Sequence, residues 1–289
     1  MRTCSSILIG AVALVGVAPA CAGQPATSEA SEGAEAAEET LVRASALAER
    51  AGITPGGTVW IGVRFEIKDG WHTYWPGQND TGLGTEITPS GPDSVAFGPI
   101  RWPAPHRYTA PGDILDHVHD GEVTALIPVT ASADAPVGST LELSFDLAWL
   151  VCDAVCIPGW KTVTLRLPVV AETGDADPAT AGVFAAARAR IPEPVPADGR
   201  VVTTEWEKGP DDAGPIASLR ARGAFRMAFY PDQDCDRVRG LLESGATESD
   251  ELRLRFDERQ PTLSGVVEVF SRDGRSKVYK IRSQPGPSR

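Results

Sequence analysis

The feature that most limits what this chain can fold into is a two-residue rhythm of apolar side chains. Leu141, Leu143, Phe145, Leu147, Trp149 and Val151 occupy alternate positions, with Ser144 and Asp146 between them. Successive side chains of an extended strand point to opposite faces, so such a run buries one face and wets the other. Val59, Ile61, Val63, Phe65 and Ile67 keep the same rhythm against Trp60, Gly62, Arg64 and Glu66. Val163, Leu165, Leu167 and Val169 repeat it, and residues 123–129 read as a further strand. Short strands divided by Gly- and Pro-rich turns, with no helix between them, predict an all-β chain built on a β-sandwich.

At 289 residues the chain has room for about two domains. Arg2, the apolar stretch 7–17 and the small residues Ala18-Pro19-Ala20 have the form of a secretory signal peptide over residues 1–20. Cys21 fits two routes of processing there: lipidation of that Cys, or plain cleavage, with Ala18 standing where lipoproteins usually carry Leu. Residues 21–40 are rich in Ala, Glu, Ser, Gly and Thr and lack aromatics, which predicts a disordered tether. Beyond residue 20 no apolar run reaches the roughly 20 residues of a membrane span, so contact with a membrane is expected only through a lipid anchor. The net charge of −12 argues against nucleic acid, although part of it sits on the tether.

The first domain is expected over residues 41–175, with a short helix at 41–51 and a long loop at 70–92. An Ala-rich helix at 177–190 and a stiff connector containing Pro192, Pro194 and Pro196 fill residues 176–199. Residues 200–289 predict a smaller β-rich domain. Its strands are expected at 201–206, 218–230, 252–256, 266–270 and 277–281, with a helix at 234–244.

Export gives the cysteines meaning, because disulfides persist outside the cytoplasm. Cys4 leaves with the signal peptide, and Cys235, between Asp234 and Asp236, reads as an inert thiol because negative neighbours disfavour its thiolate. Cys152 and Cys156 remain. In an extended strand their Cα atoms would stand about 13 Å apart at about 3.3 Å per residue, whereas a disulfide needs roughly 4.4–6.8 Å. A bonded pair therefore requires the chain to turn at Val151, in a helical turn or a tight hairpin, with Pro158-Gly159 as turn chemistry for the way back. So short a ring restrains the unfolded chain little, which favours an exchangeable bond over an inert staple or buried thiols.

Three motifs in order, Gly70-Trp71-His72-Thr73-Tyr74-Trp75-Pro76-Gly77, Trp102-Pro103-Ala104-Pro105 and Cys152-x3-Cys156-Ile157-Pro158-Gly159, resemble the periplasmic N-terminal domain of the protein-disulfide reductase DsbD and its relatives. The resemblance covers about residues 50–170 and implies an immunoglobulin-like sandwich with Cys152 and Cys156 as the redox pair. It places His72 and Tyr74 near that pair, and makes 114–121, with His117, Val118 and His119, the stretch that shields it. It implies partners among thioredoxin-like or other extracytoplasmic thiol proteins, a membrane protein as a candidate electron donor, and no cofactor. Family members continue into a membrane domain and a thioredoxin-like domain that have no counterpart here, and their Cys spacing is wider. The expectation is a periplasmic or other extracytoplasmic stand-alone module in which Cys156 attacks and Cys152 resolves.

The histidines carry a competing reading. His117 and His119 share one side of a strand if extended, and with the cysteines they would suit a soft metal such as Cu(I) or Zn; the competing reading is a non-catalytic binding module for such a metal or for a protein partner. The flanking Asp116 and Asp120 favour a solvated loop, and no third ligand converges in the sequence, so no metal is assigned. His72 and His106 read as packed or surface residues, and Trp71, Trp75, Trp102, Trp149 and Trp160 as the core and rim of the sandwich.

Overall fold

A computed structural model describes residues 41–196, 201–210 and 214–286. The signal peptide expected over residues 1–20 and the tether expected over 21–40, with Cys21, lie outside the described residues. The first unit contains β1 (Val42–Ala48), β2 (Thr58–Ile67), β3 (His72–Tyr74), β4 (Glu86–Ser90), β5 (Val95–Phe97), β6 (His106–Ala110), β7 (Ile114–Asp120), β8 (Glu122–Ala131), β9 (Thr140–Cys152) and β10 (Cys156–Pro168). One sheet runs β1-β2-β8-β5; the other runs β10-β9-β3-β7-β6, with β4 continuing alongside β9. The alternating residues read from sequence meet between the sheets. Ile61, Val63 and Phe65 from one side and Leu143, Phe145, Leu147 and Trp149 from the other are all buried there.

After β10 the chain forms α1 (Pro178–Arg190), whose N-cap Asp177 accepts a hydrogen bond from the Ala179 amide. Phe184 and Ala187 of α1 pack with Leu126, Leu47 and Trp60 on the outer face of the first sheet. Gly62 makes that approach possible, since a Cβ there would stand 3.3 Å from the Phe184 ring.

The second unit contains β11 (Glu193–Pro194), β12 (Thr203–Glu207), β13 (Ile216–Arg220), β14 (Arg226–Pro231), β15 (Val238–Arg239), α2 (Leu241–Ser244), β16 (Ala246–Thr247), β17 (Glu251–Phe256), β18 (Leu263–Phe270) and β19 (Ser276–Ser283). These form sheets ordered β11-β19-β18-β14-β16 and β12-β13-β17-β15 around their own core of Leu219, Phe229, Leu254, Phe256 and Val267. The fold is all-β, as expected.

Several local expectations need correction. Residues 42–48 are a strand, not a helix, because Val42 and Ala44 pair in register with Ile67 and Phe65 and are buried with them; tertiary pairing overrides the modest helix propensity of an Ala-rich stretch. The 70–92 stretch contains β3 and β4 rather than loop alone. Residues 218–230 divide at a turn in which the Ala224 amide bonds the Ala221 carbonyl and Gly223 takes φ +81°. Only 241–244 of the expected 234–244 helix is helical. The 114–121 stretch is a strand to Asp120, mostly buried, not a solvated loop.

The two units share an apolar seam. Trp75, Trp102 and Ala104 of the first pack with Ala228, Tyr230, Val266 and Val278 of the second. Beside them the buried carboxylate of Glu268 accepts hydrogen bonds from Tyr230 Oη at 2.7 Å and Ser276 Oγ at 2.6 Å, and pairs with Arg190 at the end of α1. Three partners satisfy a charge that would be costly to bury alone.

Candidate functional site

Cys152 ends β9 and Cys156 begins β10, directly opposite one another across a tight hairpin. Their Cα atoms are 4.2 Å apart and their sulfurs are bonded. The turn is the exposed stretch Asp153, Ala154 and Val155, with the Asp153 amide on the Val155 carbonyl at 3.1 Å. Pro158 and Gly159 do not make that turn. They lie in β10 opposite Leu150 and Trp149, at the sheet edge where a Pro costs no ladder bond. Position 159 takes a glycine because the Trp149 indole lies across it, 2.5 Å from where a Cβ would sit.

Strand alternation sets what surrounds the bond. Val151 and Trp149 point into the core, so Cys152 and Leu150 point to the outer face of the second sheet. On that face β3 presents His72, opposite Cys152, and Tyr74, opposite Val118 of β7. Tyr74, Val118 and Cys152 form a small buried cluster with Tyr108 and Leu150 against it. The Tyr74 hydroxyl stands 3.8 Å from Cys156 Sγ. A disulfide sulfur carries no proton, so the phenol is the donor, and burial raises its pKa and keeps it protonated. The two sulfurs differ sharply in access: Cys152 is 1% exposed while Cys156 is on the surface.

His72, Tyr74 and Val118 lie on the disulfide face. His117 and His119 do not, and their expected part in shielding the bond is corrected. They alternate to the opposite face of β7, buried among Trp75, Tyr230 and Trp102. Each ring nitrogen with a partner bonds a carbonyl: His117 Nδ1 donates to Gln78 O at 2.6 Å and His119 Nε2 to Pro103 O at 3.0 Å. Burial lowers both to about 4, so both rings are neutral near pH 7. Among the described residues no group of three or more His, Cys, Asp or Glu converges as a metal site. Cys235 is buried, and burial first, then Asp232, Asp236 and Asp234, push its thiol up to about 11.

Sequence reasoning missed the loop between β3 and β4 as a structural part of the site. It leaves the sheet after Tyr74 and returns at Thr85, whose amide bonds the Tyr74 carbonyl at 2.9 Å. Gly82 packs so closely on the Tyr74 ring that a Cβ would stand 1.9 Å from it. Along β7, Asp116 accepts from the amide and hydroxyl of Thr81, and Asp80 accepts from the Leu115 amide. The second unit holds the other side: the Gln78 amide bonds Pro231 O at 2.9 Å and Gln233 donates to Gly77 O at 2.7 Å. The Gly, Asn and Asp content of 77–84 signalled a turn-rich loop; only the fold shows that it backs the tyrosine against the disulfide.

Comparison with known proteins agrees with this geometry. The family model described as "Thiol:disulfide interchange protein DsbD, N-terminal" matches residues 38–168. The N-terminal periplasmic domain of ScsB from Proteus mirabilis is 22% identical, with 85% of this chain and 93% of that one covered at a TM-score of 0.53, a likeness of fold. The N-terminal domain of DsbD from Neisseria meningitidis, in its reduced form, is 16% identical over 48% of this chain and 93% of that one, at a TM-score of 0.29. No curated protein matches the chain. Residues 38–168, which carry the disulfide hairpin and the face that covers it, belong to the DsbD N-terminal domain family.

Proposed function

We propose that this protein is an extracytoplasmic thiol–disulfide exchange module that passes reducing equivalents to or from partner proteins through Cys152 and Cys156. The observation that carries the reading is the asymmetry of the bond: one sulfur is exposed at a hairpin tip and the other is buried in a cluster with Tyr74 and Val118. Exchange needs an incoming thiolate to reach one sulfur in line with the S–S bond, and only Cys156 offers that approach. Cys156 is therefore the residue that bonds to a partner, and Cys152 the one that closes the ring again. The partners are thioredoxin-like or other thiol proteins outside the cytoplasm, a reading supported by the leader expected at residues 1–20 and by the domain family.

The test is trapping. With Cys152→Ser, Cys156 has no resolving neighbour, so a mixed disulfide with an oxidised thioredoxin-like protein should accumulate. With Cys156→Ser little adduct should form, because Cys152 is buried. Equal trapping through either cysteine, or none, would refute the assignment.

A further inference from the structure

His72 stands directly across the strand pair from Cys152, on the same face of the sheet. Opposed residues of an antiparallel pair have Cβ atoms about 4.5–5.5 Å apart, within reach of an imidazole. The ring is buried, with Tyr108 at 4.5 Å and Tyr74 at 5.4 Å between ring centroids. Its Nε2 is buried without a hydrogen-bond partner. An unpaired buried polar atom costs on the order of 1–3 kcal/mol, and nothing in the packing requires a nitrogen at that position.

The chemistry of Cys152 supplies a use for it. Once the pair is reduced, the Cys152 thiol must ionise before it can attack, yet it is shut away from solvent. Burial disfavours a thiolate, and no bulk water reaches the proton to carry it away. We propose that His72 accepts the proton of the Cys152 thiol as Cys152 resolves the mixed disulfide at Cys156. The inference rests on the exchange function proposed above.

The step balances as follows. The Cys152 proton passes to the neutral imidazole, and the Cys152 sulfur attacks Cys156 Sγ. The bond between Cys156 and the partner's sulfur breaks, and its electron pair leaves on the partner thiolate. The imidazolium then gives its proton to that thiolate or to water. The two thiols of this chain end as a disulfide, and the partner's disulfide ends as two thiols.

The groups facing the ring suit this cycle. Burial lowers the His72 pKa, which keeps the ring neutral and ready to accept. Asp116 and Asp120 on β7 and Asp153 in the hairpin turn favour the imidazolium, while His106 on β6 opposes it. Tyr74 and Tyr108 flank it with their rings. His106 itself stands 3.4 Å from Asp120.

The test uses the reduced full chain with 5,5′-dithiobis(2-nitrobenzoate). Attack by Cys156 releases one thionitrobenzoate, and resolution by Cys152 releases a second, so the two steps appear as separate phases. His72→Gln should leave the first phase unchanged and slow the second by about tenfold or more at neutral pH, in line with general-base contributions. The pH profile of the second phase should lose its rise through the imidazole range and follow the thiol instead. A second phase unchanged in rate and profile, or both phases slowed equally, would overturn the proposal. Failure of the wild-type protein to release the second thionitrobenzoate would instead refute the exchange reading beneath it. His72→Asn, a smaller amide, should behave as His72→Gln, and a normal second phase in a folded His72→Asn protein would also count against the role.

Discussion

Tyr74 donates its phenolic proton toward Cys156 Sγ across 3.8 Å, and the backbone of Gly82 packs against that same ring. The exposed half of the disulfide is thus linked to the β3–β4 loop, which is in turn tied to the second unit through Gln78 and Gln233.

Gly82→Ala tests that linkage. The new methyl would stand 1.9 Å from the Tyr74 ring, so ring or loop must shift. Overpacking of this kind costs about 1–3 kcal/mol. Reduction of the disulfide by dithiothreitol should become severalfold faster as Tyr74 moves off Cys156. Unchanged reduction kinetics would show that the tyrosine does not limit access.

The seam between the units should depend on Glu268. Arg190→Met keeps the apolar stem but leaves the buried carboxylate with Tyr230 and Ser276 alone. The expected cost is roughly 2–4 kcal/mol, below the upper end for fully buried pairs because the guanidinium is 37% exposed and partly screened. Urea unfolding should show the loss, and a first transition confined to the seam would appear as separate unfolding of the two units.

Stability should fall in acid because of His117 and His119. Both are depressed from 6.5 to about 4 in the folded chain, mainly by burial. The unfolded state therefore takes up protons first as pH drops. Their contribution is fully present above pH 6.5 and is lost as pH falls through about 4, on the order of 3 kcal/mol for each ring. Urea midpoints measured across that window should decline, and less steeply in His119→Gln.

Cys235 should resist alkylation in the native chain. With its thiol pushed up to about 11, little thiolate exists at pH 8, and the side chain is buried. Iodoacetamide should label it only after unfolding. The raised value also implies stability that is present below the unfolded thiol pKa, about 8.5, and lost as pH rises through about 11; Cys235→Ala should flatten that alkaline decline.

What the sequence determined by itself is the β architecture and the chemistry at its tip. A strict two-residue rhythm fixes which side chains meet between the sheets, because a one-residue slip would turn Leu143, Phe145 and Leu147 out to water. The cysteine spacing likewise demands a turn for the sulfurs to bond, although the turn falls at 153–155 and not at Pro158-Gly159. The tertiary structure decided the rest. Asp116 and Asp120 pointed to a solvated loop, but alternation along β7 places Asp116, Val118 and Asp120 on one face and His117 and His119 on the other. The second unit and Trp102 then bury those histidines. Likewise, β1 is a strand because β2 offers it a partner, and His72 faces Cys152 because β3 and β9 pair in that register. Each of these depends on which distant segment lies alongside, and local pattern cannot carry that information, since side-chain direction follows from sequence but neighbours follow from pairing.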